Sequence, residues 1–450
     1  MKTFFLNAPH NVEVKNFLRG DFYSLVKNDP AVRLVVFVSP DSLETHRRDF
    51  ANERCIVEPV PDFGMDRQVA KKIFRMIALA SIPTESMWIR QLATYRSGGS
   101  FSGFMGRRLC WFLGHLKVWR EILRFIEYRF FFEDRVWAIY FDRYRPDVVF
   151  APSLMIEEDT IFLKQAKRRG IPSVGMVRSW DNFSTKLLLR IIPNILLVQN
   201  EIMRREAIMW NDVSPERIRV VGFAQFSHYR DSSWHMTKEE TARMIGLDPT
   251  KKWIVYYTGG LPTVVLAEET YTDHLEMLMR ASERGLFSHA LLAVRAHPTD
   301  PLGSDKKIEG VPILDFGKNF TYQKEDMKLL LNLVRWTDVN INLGSTMSLE
   351  SAIFNRPVVL VGFNGADDLK VPLHNRLSFA LDHTTHYLYV QKTGGVWRVK
   401  TESELIYAVT GYLHDPALHK EGRSQIVSDL VGPIDGKTGE RVFAALNSLI

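Results

Sequence analysis

Residues 337–363 read TDVNINLGSTMSLESAIFNRPVVLVGF, and this stretch decides the fold class of the chain. Two short β-type runs flank a helix that follows the turn Leu-Gly-Ser-Thr. Ser345 is the expected N-cap, and Gly344 lets the backbone approach a ligand, so the exposed N–H groups form a phosphate-sized anion site. Asn355 fits the left-handed position after the last helical turn, and Pro357 prevents continuation of the helix. The pattern predicts a strand, an anion loop, a helix and a second strand, although a purely structural cap would have the same sequence.

Two further strand ends carry polar or glycine residues. The apolar run 289–294 indicates a buried strand that leads into Arg295 and His297, two residues apart. Another buried strand leads into Gly259 and Gly260, a turn that brings backbone N–H groups close to a ligand. Ligands of open parallel sheets bind beyond the carboxyl ends of the strands. We therefore expect three strand ends to converge on one anion.

The order of these motifs resembles the donor-binding half of GT-B glycosyltransferases. The matching patterns are strand-Gly-Gly, then R-x-H-P, then G-S-T-x-x-x-E-x-A-x-x-x-x-P-V-V. The resemblance is strongest to the branch that builds bacterial capsule and surface polysaccharides, and similar motifs occur in polysialyltransferases, Kdo transferases and CDP-glycerol glycerophosphotransferases. Residues 435–441, DGKTGER, also look like the D-G-K-x-x-E-R ending of that group. The likeness covers the C-terminal half well and the N-terminal half in outline.

The resemblance implies roles for particular residues. In those families the His and the Ser/Thr residues contact the nucleotide phosphates, which would assign that role here to His297, Ser345 and Thr346. Arg295 would lie beside them, and Glu350 would meet ribose or sugar hydroxyls. The glycines of the strand-end turns would belong to the same nucleotide site.

A length of 450 residues suits two domains of ordinary size. Strand and helix patterns alternate in both halves, which predicts parallel sheets covered on both faces. The expected architecture is α/β, a GT-B fold of two Rossmann-like domains whose parallel sheets face a cleft. Residues 1–227 would form an N-terminal, acceptor-binding domain with a helical basic-aromatic insertion. Residues 228–436 would bind the nucleotide donor, and a helix over 437–450 would cross back to the first domain.

The composition is that of a folded globular protein, with 46% hydrophobic and 24% charged residues. Only Cys55 and Cys110 occur, which favours a reducing compartment over a disulfide framework. No apolar run reaches the roughly 18 residues that a spanning helix needs. We expect a cytoplasmic protein, with a peripheral position on the cytoplasmic face of the membrane as an alternative.

The acceptor hydroxyl must lose a proton during sugar transfer, and three N-terminal residues are candidates for the base. Asp181 follows a predicted strand, next to Trp180, whose ring suits stacking on a sugar, and Lys186, which could pair with phosphate or with Asp181. A helix-capping role for Asp181 is the alternative. Glu158 belongs to an acidic first helical turn, for which dipole pairing is the favoured interpretation. His10, just after the first strand, is the reserve candidate.

No D-x-D triplet occurs in the sequence, and that triplet carries the divalent ion in most metal-dependent GT-A transferases. We therefore predict no metal site, with Arg295 and Lys186 supplying positive charge. Asp367 and Asp368 fit a solvated loop better than a cation site. No cofactor is expected beyond the nucleotide-sugar donor as a substrate, and the sequence does not distinguish UDP, CMP and CDP.

Residues 101–132 are rich in Phe, Trp, Leu and Arg, and their apolar residues repeat at helical spacing. An ordinary helix packed on the N-terminal sheet is the favoured interpretation, because aromatic stripes more often form core. Contact with the inner membrane leaflet is the alternative, since basic residues surround the stripe. No nucleic-acid-binding motif accompanies the charge.

Taken together, the residues and the resemblance predict a metal-independent glycosyltransferase of surface polysaccharide assembly. Its partners would be a nucleotide-activated sugar and a saccharide or lipid-linked acceptor, without nucleic acid. Three alternatives remain open: a CDP-glycerol-type glycerophosphotransferase, a UDP-sugar 2-epimerase-like isomerase, and a non-catalytic nucleotide-binding assembly protein. The oligomeric state is open.

Overall fold

The computed structural model describes residues 1–62, 69–131, 135–259, 269–297, 310–314, 324–365 and 370–450. The predictions for Gly260, Pro298, Asp367 and Asp368 concern residues outside these ranges. The chain forms two compact units. The first unit comprises Met1–Gln91, Gly99–Arg230 and Gly432–Ile450, and the second comprises Leu92–Gly98 and Asp231–Val431.

The first unit is built on a parallel sheet. In the described residues its strands are β1 (Lys2–Ala8), β2 (Val32–Val38), β3 (Cys55–Pro59), β4 (Val148–Ala151), β5 (Ser173–Met176), β6 (Ile195–Val198) and β7 (Ile218–Val220). Their order is β3-β2-β1-β4-β5-β6-β7, and each neighbouring pair is parallel. The strands are almost continuously apolar because helices cover both faces. The strand order reverses between β1 and β4, which makes the carboxyl ends of these strands the switch point of the sheet.

Helices surround this sheet and form an insertion between β3 and β4. They are α1 (Asn11–Glu13), α2 (Asp21–Asn28), α3 (Leu43–Phe50), α4 (Val69–Ala80), α5 (Glu85–Arg96), α6 (Phe101–Gly114), α7 (Lys117–Phe130), α8 (Arg135–Tyr144), α9 (Glu157–Arg168), α10 (Asn182–Thr185) and α11 (Glu201–Asn211). A small core of its own, which includes Phe74, Met87 and Leu123, joins the helices of the insertion.

The favoured interpretation of residues 101–132, one helix with a buried stripe, is wrong. The stretch forms two helices, α6 and α7, that meet at Gly114, where any side chain would collide with the Ser81 carbonyl. Leu109, Phe112 and Leu116, three of the apolar residues that repeat at helical spacing in this stretch, are exposed, whereas Leu123 is buried. Helical spacing identified an apolar stripe without indicating which side of the helix faces the protein.

The second unit contains a second parallel sheet. In the described residues its strands are β8 (Lys252–Tyr257), β9 (Ala290–Arg295), β10 (Ile313–Leu314), β11 (Val339–Asn342), β12 (Val358–Val361) and β13 (Trp397–Val399), in the order β10-β9-β8-β11-β12-β13. Its helices are α12 (Lys238–Ile245), α13 (Glu269–Glu283), α14 (Lys324–Trp336), α15 (Met347–Ile353), α16 (Leu377–His383), α17 (Thr385–Lys392), α18 (Glu402–His414) and α19 (Lys420–Ile426). The strand order reverses between β8 and β11.

The last helix, α20 (Thr438–Asn447), belongs to the first unit. Val442 and Leu446 are fully buried in the core of that unit, beside Phe4 and Phe22. The preceding turn is held by Asp435, whose carboxylate accepts hydrogen bonds from both terminal nitrogens of Arg441 at 2.9 and 2.5 Å. The D-G-K-x-x-E-R pattern thus has a structural explanation as a clamped turn before a docked helix. Among the described residues, no helix has the length and apolar character needed to cross a membrane.

Candidate functional site

The switch point of the second sheet brings together the loops that the sequence analysis singled out. Strands β9, β8 and β11 are adjacent and parallel, so their carboxyl ends share one edge of the sheet. The loops at that edge carry His297 after β9, Gly259 after β8 and Gly344 after β11. Ligands of such sheets bind at this position.

Hydrogen bonds join the first two loops. Arg295 ends β9 opposite Tyr257 of β8, and its side chain is buried. The Thr258 N–H donates to the Arg295 carbonyl at 3.2 Å, and the His297 N–H donates to the Thr258 hydroxyl at 2.9 Å. The Gly259 N–H donates to the Tyr271 hydroxyl at 3.1 Å. The backbone of His297 is therefore held at a defined place.

Burial and charge make His297 neutral at physiological pH. Desolvation, followed by the nearby Arg295 guanidinium, lowers the pKa of His297 to about 4. A neutral imidazole donates one hydrogen bond through its single N–H group. Burial also raises the pKa of Tyr257 well above its usual value, and both Arg295 and Glu350 act electrostatically on its hydroxyl. Charged groups from β9 and α15 thus lie around the end of β8.

The loop after β11 requires a glycine. Gly344 has φ +95°, and a side chain there would lie 3.0 Å from the Leu381 side chain and the Tyr387 ring. The expectation that Ser345 is the N-cap of α15 is wrong: Thr346 occupies that position with helical backbone angles. The Ser345 hydroxyl instead accepts a hydrogen bond from the Met347 N–H at 3.2 Å. Tyr387, which contacts the loop from a distant helix, carried no signal in the sequence.

The side chain of Asn342 holds this loop through hydrogen bonds, and the sequence analysis missed this residue. Its side-chain oxygen accepts hydrogen bonds from the Gly344 N–H at 2.9 Å and from the Ser348 hydroxyl at 3.2 Å. Its amide nitrogen donates to Asn340 at 2.8 Å, and Asn340 donates to Ser351 at 2.8 Å. Two buried asparagines at alternate positions of an apolar strand are the signal that could have revealed this ladder. Such fully satisfied networks impose one loop geometry.

Helix α15 ends as predicted. Asn355 adopts the left-handed conformation with φ +53°. Its side-chain oxygen also accepts a hydrogen bond from the buried Arg423 at 2.8 Å. Glu350, on the first turn of the helix, is 8% exposed. Its place beside the end of β8 is compatible with contact to a hydroxyl group of a ligand.

In the first unit, Asp181 occupies the position before α10, but its side chain makes no capping hydrogen bond. The carboxylate instead accepts a hydrogen bond from Lys186 at 2.6 Å, one of the two predicted roles for that lysine. The expectation that Trp180 offers a ring face to a sugar is wrong, because its side chain is buried. The alternation that places a ring near a strand end does not show whether a neighbouring element covers it.

The other two predicted bases lie at the switch point of the first sheet. His10 is exposed after β1, and its backbone N–H donates to the Glu13 carboxylate at 3.0 Å. Glu158 is half-buried in the first turn of α9, after β4. Its neighbour Glu157 is buried in an ion pair with Arg190 at 2.5 Å. Because β1 and β4 are adjacent, the structure places His10 and Glu158 at the same edge of the sheet.

Two buried acids lie at this same edge: Glu13, which the sequence analysis missed, and Asp159, which belongs to the same acidic helical turn as Glu158. Glu13 is 2% exposed, and its Oε1 atom accepts no hydrogen bond from the described residues, while Arg178 Nε lies 3.9 Å away. Asp159 is fully buried and accepts hydrogen bonds from Asn7 at 2.6 Å and from the Ser153 N–H at 2.7 Å. Burial, reinforced by Glu13 and Glu158, raises the pKa of Asp159 well above its ordinary range. The available signal was an acidic residue shortly after a predicted strand.

A small cavity lies beside Glu13. Loops after five strands of the first sheet contribute to it, and the lining residues include Glu13, Asn16, Pro152, Arg178, Gln199 and Gln225. The cavity is about the size of one water molecule, so its carboxylate, guanidinium and amide groups can hydrogen-bond a single hydroxyl group. The arrangement combines a buried proton acceptor with groups that could orient a hydroxyl.

Comparison with known proteins finds similar folds among solved structures. No protein-family model and no curated protein sequence matches the chain. Among solved structures, the S. aureus MnaA–UDP co-structure matches with a TM-score of 0.52 at 13% identity, over 100% of this chain and 98% of that one. The UDP-GlcNAc 2-epimerase from Neisseria meningitidis bound to UDP-GlcNAc matches with a TM-score of 0.53 at 10% identity, over 100% of both chains.

The wall teichoic acid polymerase TagF is a third structural neighbour. It matches with a TM-score of 0.53 at 10% identity, over 99% of this chain and 89% of that one. At such identities the similarity shows the fold alone. The predicted fold class is confirmed: the chain is an α/β protein of the GT-B type with a parallel sheet in each unit.

Proposed function

We propose that the chain is a glycosyltransferase that transfers a sugar from a nucleotide-activated donor to a surface-polysaccharide or glycolipid acceptor in the cytoplasm. The observation that carries the proposal is the convergence of the loops after β9, β8 and β11 at the switch point of the second sheet. Support comes from structural neighbours solved with UDP and with UDP-GlcNAc.

The second unit would hold the donor. The N–H groups around Gly259 and Gly344 and the hydroxyls of Ser345 and Thr346 are suited to bind the phosphates. Neutral His297 would donate a hydrogen bond to the departing nucleotide, with Arg295 supplying positive charge behind it. Glu350 would accept hydrogen bonds from ribose or sugar hydroxyls.

The first unit would bind the acceptor and supply the base. Among its carboxylates, Asp181 is already paired with Lys186 at 2.6 Å. Glu13 has a buried oxygen that accepts no hydrogen bond from the described residues, next to a polar cavity. We therefore propose Glu13 as the proton acceptor, with Asp181 as the alternative and Glu158 and His10 as further candidates.

We propose that the reaction needs no divalent ion, because Arg295 and His297 could stabilise the departing phosphates. Chelator-treated enzyme should keep most of its transfer activity. Complete loss that Mg²⁺ or Mn²⁺ restores would contradict this part of the proposal.

A thermal-shift comparison of UDP, CMP, CDP and GDP tests the donor site, because a ligand that binds the folded state raises its Tm. We expect one nucleotide to stabilise the protein, and we expect the matching nucleotide-sugar to release nucleotide only when a saccharide or glycolipid acceptor is present. A protein that no nucleotide stabilises would contradict the proposal.

A UDP-sugar 2-epimerase activity is the second candidate, since epimerase structures match along the full chain. Incubation with the donor alone separates the two functions, because an epimerase needs no acceptor. A glycerophosphotransferase would instead leave phosphorus in the product, in keeping with the TagF structure soaked with CDPG. Nucleotide binding without turnover on any acceptor would indicate an assembly protein.

A further inference from the structure

Helix α7 exposes apolar residues on its outer side and buries charged residues beside Leu123 on its inner side. Its charged residues Arg120 and Glu127 point inward and are almost fully buried. Its apolar residues Val118, Ile122 and Phe125, at positions i, i+4 and i+7, point outward and are 65%, 43% and 62% exposed. A helix whose outer side met only water would have polar residues at those positions.

Specific partners hold the charged side of α7 in place. Arg120 and Arg124 both donate to the Asp212 carboxylate, at 2.6 to 2.9 Å. Glu127 is paired with the buried Lys164 at 2.5 Å and with Arg190 at 2.6 Å. Breaking buried pairs of this kind is strongly unfavourable, so rotation of α7 to hide its apolar side is opposed. The outward orientation of the apolar residues is therefore built into the fold.

Two neighbouring helices, α4 and α6, also expose large apolar side chains. Helix α6 contacts both α4 and α7, and it exposes an apolar stripe of its own, as does α4. The opposite sides of these helices pack around the insertion core of Phe74, Met87 and Leu123. We call the exposed residues the apolar face: Val69, Ile73 and Met76 of α4, Phe101, Met105, Leu109 and Phe112 of α6, and Val118, Ile122 and Phe125 of α7. A concentration of exposed large apolar side chains marks an interaction site.

The charge around the apolar face selects its partner. Residues 69–131 contain eleven lysines and arginines against three glutamates, and four of these cations, Lys71, Arg75, Arg120 and Arg124, are paired with Glu157 or Asp212. The exposed cations Lys72, Lys117 and Arg129 lie among the apolar residues. A second copy of the chain would bring the same positive charge to the interface. A nucleic acid would match the charge but would leave the apolar side chains in water.

We propose that the apolar face docks on a lipid bilayer that contains anionic headgroups. Phenylalanine, leucine and isoleucine side chains would enter the boundary between headgroups and acyl chains, while the cations would contact the headgroups. The inference does not depend on the proposed reaction, because it concerns binding to lipid without donor or acceptor.

Flotation of the full chain with vesicles tests the proposal. We expect binding to phosphatidylcholine vesicles that contain about 30 mol% phosphatidylglycerol, and much weaker binding to phosphatidylcholine alone. The double variant F112S/F125S should lower vesicle association by about tenfold or more, because it removes two aromatic anchors. The control M209S/M244S, which changes two exposed methionines elsewhere, should bind like the wild type.

A charge variant provides the second measurement. K72Q/K117Q should weaken binding to anionic vesicles and reduce its dependence on salt, with an unchanged Tm because both lysines are exposed. Failure of the wild-type chain to bind anionic vesicles would overturn the proposal, as would wild-type binding by F112S/F125S. Light scattering that showed an oligomer dissociated by F112S/F125S, with vesicle binding intact, would identify a second copy as the occupant instead.

Discussion

At the scale of single residues, His297 is the sharpest test of the donor site. Its backbone is fixed by Thr258, and its lowered pKa keeps the ring neutral. Loss of a hydrogen bond to a departing phosphate costs roughly 2–4 kcal/mol, so His297→Ala should lower the transfer rate by about 30- to 1000-fold. His289→Ala, an exposed histidine just before the same strand, is the matched control. Near-normal turnover of His297→Ala would remove this residue from the site.

Two conservative substitutions separate the candidate bases. Glu13→Gln keeps an oxygen that can accept the hydrogen bond from the His10 N–H while removing the proton acceptor. We expect turnover to fall by about 10²-fold, with the nucleotide-induced change in Tm preserved. Asp181→Asn should change the rate much less, because Lys186 already occupies that carboxylate. The reverse pattern would assign the base to Asp181, and two active variants would direct attention to Glu158 and His10.

His274 predicts how stability depends on pH. The ring is fully buried between the Tyr256 hydroxyl at 2.9 Å and the Phe363 carbonyl at 3.0 Å, and burial lowers its pKa from 6.5 to about 4. The unfolded chain therefore takes up a proton at a higher pH than the folded chain does. The contribution of neutral His274 to the free energy of unfolding is complete above pH 6.5 and is lost as the pH falls towards 4, a change of about 3 kcal/mol.

Urea unfolding at pH 7 and pH 4.5 measures this effect. His274→Gln should flatten the pH dependence in part, since His297 titrates over the same interval. The exposed His414→Gln is the control and should leave the pH dependence unchanged. An identical acid-induced loss in the wild type and in His274→Gln would show that His274 does not contribute.

At the scale of elements, the end of α15 depends on Asn355. Alanine there would adopt φ +53° at a cost of roughly 1 kcal/mol and would leave Nε of the buried Arg423 without its acceptor, while the two terminal nitrogens keep theirs. Asn355→Ala should therefore lower the free energy of unfolding by about 2–4 kcal/mol. Asn355→Gly relieves the backbone strain and loses only the hydrogen bond, so its cost should be smaller. Equal stability of all three proteins in denaturant would refute this account.

At the scale of the whole molecule, α20 completes the first unit although it is the end of the chain. Val442 and Leu446 are buried against Phe4 and Phe22, and the Gly439 N–H donates to Asp21 at 2.8 Å. Removal of residues 437–450 should expose this apolar core and destabilise the first unit by several kcal/mol, about 1.5–3 per buried side chain. Hydrogen exchange should then speed up in β1 and α2 and stay slow in β8 and β11. Deletion of Ile450 alone is the control, and unchanged protection in β1 would contradict the prediction.

The sequence by itself determined the features that depend on local chemistry. Strand and helix periods predicted two parallel α/β halves, and the Asn-Arg-Pro sequence at 355–357 predicted the left-handed end of α15. Arg295 ends an apolar strand, and His297 and Gly344 lie two residues beyond such strands, which made all three recognisable as candidate site residues. Each of these features is specified by a few neighbouring residues, so a single segment contains the necessary information.

Tertiary structure decided which residues meet and which are buried. Strand order placed β8 between β9 and β11, and it placed Glu13 and Asp159 together in the interior. Tertiary packing also buried Trp180 and placed the charged side of α7 against Asp212 and Lys164. Ion pairing and desolvation depend on groups more than thirty residues apart in the chain. The local sequence of a carboxylate or an apolar stripe does not show whether that side of the helix faces the protein or the solvent.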